Sequence, residues 1–224
     1  VSSAASLFKA SSMKRYWVKT RWIIRRLFPA FVWKMPNSTK TVYLTFDDGP
    51  TPHVTEWVLD LLQEHDIKST FFCIGNNIEK HPDIFKKITD AGHATGNHTF
   101  NHLNGWNTNN AAYFKNTTAC EESITNRTGK DVRLFRPPYG KMTPSQVDWI
   151  KEKGYKIIMW DVLSADFDTA ITPEKCLQNV ITNTTSGSIV IFHDSIKAYT
   201  NLEYTLPKAI MFLKEKGYRF DIIS

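Results

Sequence analysis

At 224 residues, with 42% apolar and 13% aromatic content, the chain is long enough to fill one core and too apolar to stay disordered. Its net charge of +6 is uneven: residues 1–40 carry nine Lys/Arg and no Asp/Glu, so the remainder holds 19 basic and 22 acidic residues, or −3. A body without basic excess argues against nucleic acid as a partner, and three scattered cysteines with no CxxC (Cys73, Cys120 and Cys176) argue against a disulfide framework or a Cys-ligated zinc.

In chain order, residues 1–39 read as a basic, aromatic extension. Residues 1–12 read as extraneous or unstructured sequence ahead of Met13, the candidate native start. Between Lys14 and Lys34, basic residues are interleaved with Tyr16, Trp17, Trp22 and Trp33. The uncharged stretch 27–33 is too short to span a bilayer, and no signal-peptide core with a cleavage site is evident. The expected location is therefore cytoplasmic or peripherally membrane-associated. Residues 14–34 suit two roles: contact with an anionic membrane surface, or an arm that packs its aromatics on the main domain.

From residue 40 to 224 the pattern alternates. Strands are expected at Val42–Phe46, Ser69–Ile74, Ala94–Asn97, Leu134–Arg136, Lys156–Trp160, Ser188–His193 and Tyr218–Asp221. Apolar residues at helical spacing lie between them: Val54–Glu64, Tyr113 to Ile124, Pro144 to Ile150, Cys176 to Ile181, and Leu206 to Leu213 before Gly217. Strand–helix alternation implies an α/β protein with a mainly parallel sheet. About seven units around one core suit a closed or nearly closed β/α barrel, with an open doubly wound sheet as the alternative.

The chemistry-bearing residues fall at or just beyond the ends of the predicted strands, where α/β folds gather their sites. Thr45-Phe46-Asp47-Asp48-Gly49-Pro50 ends the first strand with two carboxylates that point apart, one free to ligate a metal and one to act as a base. His98-Thr99-Phe100-Asn101-His102 adds two imidazoles at i, i+4, which on a helical turn would face one ion. Asp48, His98 and His102 then make a two-His, one-carboxylate set with open positions, suited to zinc, with cobalt, manganese or nickel as alternatives. Asp47 remains as a base, and Arg136, before Pro137-Pro138-Tyr139-Gly140, could keep it ionised. The Tyr139 N–H could serve an oxyanion. His193, at the end of Ile189-Val190-Ile191-Phe192, is a candidate general acid, with Asp166 to orient it. Trp106, Tyr139 and Tyr199 are candidate stacking aromatics. The Asn97 sequon overlaps the HxxxH motif and is expected to be buried; those at Asn37, Asn116, Asn126 and Asn183 carry no weight without evidence of secretion.

These motifs, in this order, resemble the polysaccharide deacetylases of carbohydrate esterase family four, with the NodB-homology domain, over roughly residues 41–223. The resemblance assigns Asp47 as base, Asp48, His98 and His102 as metal ligands, and Arg136 as support for the base. It places Pro138 and Tyr139 in the groove wall, His193 as general acid and Asp166 as the residue that tunes it. Two positions depart from the family pattern: Phe167 stands where tryptophan is usual and Ile191 where leucine is usual. Both shape the acetyl pocket, and both stay apolar. The resemblance implies a distorted (β/α) barrel of seven parallel strands in one catalytic domain, acting on an acetylated glycan; a monomer is expected. It implies metal-dependent removal of acetyl groups from N-acetylglucosamine units of chitooligosaccharide, peptidoglycan or a related polymer. O-acetyl ester hydrolysis on xylan-like glycans is the alternative, and a catalytically silent glycan-binding relative is a third reading.

Overall fold

The structure, a computed structural model, describes residues 16–36 and 39–224. The expectations for residues 1–12, Met13, Lys14, Arg15 and Asn37 lie outside the described residues. In chain order the elements are α1 (Trp22–Leu27), β1 (Thr41–Asp47), α2 (Val54–Glu64), β2 (Thr70–Cys73), α3 (Gly75–Lys80), α4 (Pro82–Asp90), β3 (Ala94–Asn97) and α5 (Asn110–Thr128). There follow β4 (Leu134–Phe135), α6 (Pro144–Glu152), β5 (Lys156–Ile157), β6 (Val162–Leu163), α7 (Pro173–Ile181), β7 (Ile189–His193), α8 (Tyr199–Glu215) and β8 (Arg219–Phe220).

All strand pairs are parallel, and the strands run β5-β4-β3-β2-β1-β7-β6. The seven-stranded distorted barrel is therefore present, and β8 adds a short parallel pairing to the start of β1. Parallel strands covered on both faces read as continuous apolar runs, and all seven residues of β1 are buried. Their alternation sorts two cores. Val42, Leu44 and Phe46 pack outward beneath the helices with Val58, Leu62, Val190 and Phe192. Tyr43 joins the barrel interior with Phe72, Leu134, Ile158 and Ile189. By the same alternation, Thr45 and Asp47 face the interior. Because Asp47 is the register partner of His193 on β7, the two side chains leave the sheet on one face.

Glycine is required where β3 crosses beneath the interior. A Cβ at Gly96 would sit 2.5 Å from the Phe72 ring. The helices start where their sequences supply caps: Asn109 accepts from Ala112 N, and Thr143 with Gln146 makes a capping box ahead of Pro144.

The structure departs from the expected strand 156–160. After β5 the chain leaves the sheet and resumes as β6 at Val162, so β5 and β6 do not pair. The N-terminal arm fills that seam. Val32 N–H donates to Ile157 O, and Met159 N–H donates to Val32 O, both at 2.8 Å. Leu163 N–H donates to Val18 O at 2.8 Å, and Thr20 N–H to Asp161 O at 2.9 Å. Lys19 reaches the fully buried Asp161 at 2.6 Å. Of the two roles expected for residues 14–34, the packed arm is what the described part adopts, with Phe31 and Trp33 against the main core. Trp22, Ile23, Leu27 and Phe28 stay exposed. Among the described residues, no helix is long and apolar enough to cross a membrane.

Candidate active site

Asp47, the last residue of β1, is 2% exposed. A carboxylate taken out of water needs a partner, and Arg136 Nη1 donates to its Oδ1 at 2.6 Å. Arg136 is itself fully buried, and four of its five N–H groups are bonded. Nη1 also reaches Thr45 Oγ1 at 2.7 Å, Nε donates to Ile158 O at 3.1 Å, and Nη2 to Met159 O at 2.9 Å. Its guanidinium lies 4.1 Å over the Phe72 ring. Burial pulls the Arg136 pKa down from its ordinary value, and Asp47 pushes it back up.

Asp48 does not continue the strand. Its φ of 83° swings the chain out of β1, and Asn77 Nδ2 holds its carbonyl at 2.7 Å. The next residue must be glycine, because a Cβ at Gly49 would lie 2.0 Å from Asp194 Oδ2. Burial raises the Asp194 carboxyl to about 8, against hydrogen bonds from Thr55 and Gly49 N–H that lower it.

His98 and His102 meet, but not on a helical turn. They flank a loop in which Thr99 and His102 both take left-handed φ, 61° and 55°. Side chains hold that loop. Asn97 Oδ1 accepts from Thr99 N–H, and Asn116 Oδ1 accepts from Phe100 and Asn101 N–H at 2.8 and 2.9 Å. Thr99 Oγ1 accepts from Leu103 N–H. Asn97 is fully buried and its Nδ2 donates to Thr117 O and Tyr155 Oη. Asn116 is the residue that motif reading missed; an asparagine within α5 gives no local sign that it braces a distant loop.

The fully enclosed His98 ring places Nδ1 2.7 Å from Arg136 O. That carbonyl can only accept, so Nδ1 carries the proton and Nε2 keeps its lone pair. Burial, assisted by His102, drives the His98 pKa down to about 3, so the imidazole is neutral. Among the described residues, Asp48 Oδ1 is buried and has no hydrogen-bond partner. It sits 3.7 Å from His98 Nε2 and 3.3 Å from His102 Nε2, and the three ligand atoms lie within 4.8 Å of one another. A tetrahedral ion with ligand bonds of about 2.0–2.2 Å separates its ligands by about 3.3–3.6 Å. The donor set, its spacing and the orphaned oxygen fit a divalent cation.

His193 ends β7. Its Nδ1 and its backbone N–H both lie 2.8 Å from the buried Asp166, one on each carboxylate oxygen. Ser164 Oγ and Phe167 N–H also donate to Asp166 Oδ1. Burial pulls the His193 pKa down, but Asp166 outweighs it through charge and hydrogen bond, with Asp48 and Asp47 adding, and the net is about 9. With Nδ1 engaged, Nε2 is the nitrogen left for a substrate. Phe167 meets the His193 ring edge-on at 4.9 Å, and Ile191 is buried with Leu163 and Ala165.

Tyr139 takes φ 60° after the two prolines, and its ring lies 4.6 Å from His102. Pro138 is buried. Trp106 is 64% exposed on a 3₁₀ turn, with its Nε1 donating to Met142 O and Lys141 over its ring; these contacts tie it to the loop after Tyr139 rather than to the ligands. Tyr199 packs edge-on against Trp57.

A family model described as polysaccharide deacetylase matches residues 34–158. A peptidoglycan-N-acetylglucosamine deacetylase of Bacillus cereus is 34% identical over 205 residues, covering 91% of this chain and 73% of its own. A chitooligosaccharide deacetylase of Azorhizobium caulinodans is 32% identical, covering 72% and 77%. Among solved structures, a peptidoglycan N-acetylglucosamine deacetylase superposes with a TM-score of 0.82 at 34% identity, covering 87% of this chain and 91% of the other.

Proposed function

Because the chain belongs to the polysaccharide deacetylase family, we propose that it is a metal-dependent hydrolase that removes acetyl groups from N-acetylglucosamine units of a glycan. The observation that carries this reading is one cleft with a ligand triangle and two separately pinned proton carriers. Asp47 is held by Arg136, His193 is held by Asp166, and the two leave adjacent strands in register. All these residues lie in 40–224, the proposed deacetylase domain, whose open seam residues 16–36 complete.

Asp48, His98 and His102 would hold the cation, and two imidazoles with one carboxylate suit zinc. When bound, the ion supplies Lewis acidity that polarises an acyl oxygen and makes water more acidic. Asp47 accepts a proton from the attacking water as its oxygen bonds to the acetyl carbon. Its carboxylate is turned to this task by the Arg136 clamp, which also prevents drift towards solvent. The Tyr139 N–H helps to hold the charge that gathers on the acetyl oxygen. His193 gives its Nε2 proton to the sugar nitrogen as the C–N bond breaks, and Asp166 keeps the imidazole charged until that moment. Acetate and a glucosamine unit leave. Phe167 and Ile191 wall the acetyl methyl.

The test is acetate release from N-acetylglucosamine oligomers before chelation, after it, and after adding back zinc or cobalt. Release that disappears and returns supports the reading. A folded, metal-loaded protein that releases none from any oligomer or peptidoglycan fragment overturns it. Trp22, Ile23, Leu27 and Phe28, exposed beside Arg21 and Arg26, support peripheral contact with an anionic membrane; failure to co-sediment with anionic vesicles would remove that part.

A further inference from the structure

A cavity of about 400 Å³ lies between the N-terminal arm and the cleft, and Trp17, Ile24, Trp33, Tyr139 and Trp160 are among the side chains lining it. Its size is that of a small-ligand site, about 300–1,000 Å³. Two of its lining residues touch the proposed catalytic groups or their neighbours. Tyr139 lines the cavity and also lies against His102. Tyr16, on the same wall, meets Phe167 edge-on at 5.6 Å, and Phe167 meets His193. None of Tyr16, Trp17 or Trp33 belongs to a motif the deacetylase chemistry uses.

The arm that carries these aromatics is rigidly mounted. Val18 and Thr20 hydrogen-bond to β6 and to Asp161, flanking Trp17 on its C-terminal side. Tyr16 Oη donates to Asp168 at 2.6 Å on its other side. Val32 is laced between Ile157 and Met159, next to Trp33. Trp17 nevertheless keeps 58% of its surface open and Tyr139 keeps 60%. Fixed aromatic faces left open at this level cost apolar hydration and repay it only when something flat and partly apolar covers them.

A pyranose meets that description. Its ring faces carry C–H groups and its rim carries hydroxyls, so it stacks on an indole while its polar edge stays wet. We infer that the arm builds a sugar subsite, in which Trp17 stacks on a ring of the same glycan strand next to the unit whose acetyl group is removed. This rests on the glycan-deacetylase reading. The subsite makes the enzyme prefer chains that reach from the cation to the arm over a single acetylated unit.

The experiment compares the wild type with Trp17→Ala and Trp17→Phe on N-acetylglucosamine oligomers of two to six units. It reads kcat and KM from acetate release, and Kd from calorimetry on chelated protein. Trp17→Ala is expected to raise KM and Kd about tenfold for the longest oligomer, with kcat kept, and to leave the shortest substrate unchanged; Trp17→Phe restores most of the loss. Equal constants for wild type and Trp17→Ala on the longest oligomer would overturn the subsite, as would an equal loss at every length. If the wild type releases no acetate yet its Kd for the longest oligomer depends on Trp17, the subsite stands and the deacetylase reading falls. Because Trp17 is largely exposed, the thermal midpoint of the variant is expected to match the wild type.

Discussion

The two sides of the cleft are built in different ways. On the proton side, Asp47 and His193 are terminal residues of regular strands, and parallel register alone puts them side by side. On the ligand side, Asp48 and His102 both take left-handed φ, as does Thr99 between the two histidines, and side-chain amides from α3 and α5 hold the backbone there. Left-handed backbone costs a residue with a Cβ about 1–2 kcal/mol. The proposed proton carriers thus inherit their positions from the sheet, whereas the proposed ligands depend on local props. Arg136 joins the two, because its side chain clamps Asp47 while its carbonyl fixes the His98 tautomer.

The largest expected effect comes from the ligand side. Asp48→Asn keeps the shape and tolerates left-handed φ, but removes the one carboxylate of the proposed ligand set. We expect calorimetric metal binding to be lost and acetate release to fall to background on every substrate. Residual activity above a tenth of wild type, with metal still bound, would mean that Asp48 is not a ligand.

The proton side should fail differently. His193→Ala is expected to lower kcat on an N-acetyl substrate by about 10²–10⁴-fold with metal affinity unchanged. On an acetyl ester the loss should be much smaller, because an alkoxide needs the proton less than an amide nitrogen does. An equal loss on both would place His193 elsewhere in the reaction. Its pKa, raised to about 9, gives the sign of the pH dependence. The acid is present below that value and is lost as pH rises through it. Asp166→Asn removes the charge that holds the proton, so the alkaline fall of kcat should move to lower pH. An unmoved alkaline limb would show that another group sets it.

The same contrast explains what could be seen in the sequence. Asp47, Arg136 and His193 were legible because each closes an apolar run, and strand ends are where a parallel sheet exposes chemistry. The i, i+4 histidines were legible as a pair, but the helical turn that would join them is absent. Four hydrogen bonds from Asn97, Asn116 and Thr99 set that loop instead, and no periodicity announces them. The arm was the hardest to read. Lys19 and Val32 join the sheet as single bridges, to Val162 and Ile158, across a seam that exists only because β5 and β6 part at Trp160. A seam created by tertiary structure leaves no pattern in the segment that fills it.

Asn116→Ala tests the props directly. It removes the side-chain acceptor shared by Phe100 and Asn101 N–H; Phe100 keeps the Asn116 carbonyl and the exposed Asn101 turns to water, so the stability cost is about 1 kcal/mol. Because the loop orients two of the proposed ligands, metal affinity should fall about 10–100-fold, while kcat at saturating metal stays close to wild type. Unchanged metal affinity with lowered stability would reduce Asn116 to a packing residue.

The smallest effect is expected where the proton side carries its one left-handed residue. Ala165 has φ 63° and is fully buried between Ser164 and Asp166. Ala165→Gly relieves about 1–2 kcal/mol of backbone strain, but gives the unfolded chain about 0.5–1 kcal/mol of extra freedom and removes a buried methyl worth about 0.8 kcal/mol. These nearly cancel, so the thermal midpoint should move by no more than about 2–4 °C, and the His193–Asp166 bond, and with it the pH profile, should persist. The matching change on the ligand side, Thr99→Gly, also deletes the Oγ1 that caps Leu103, so it should lower metal affinity where Ala165→Gly does not. If both glycine variants behave alike, the ligand loop is held by its backbone, and the contrast between the two sides dissolves.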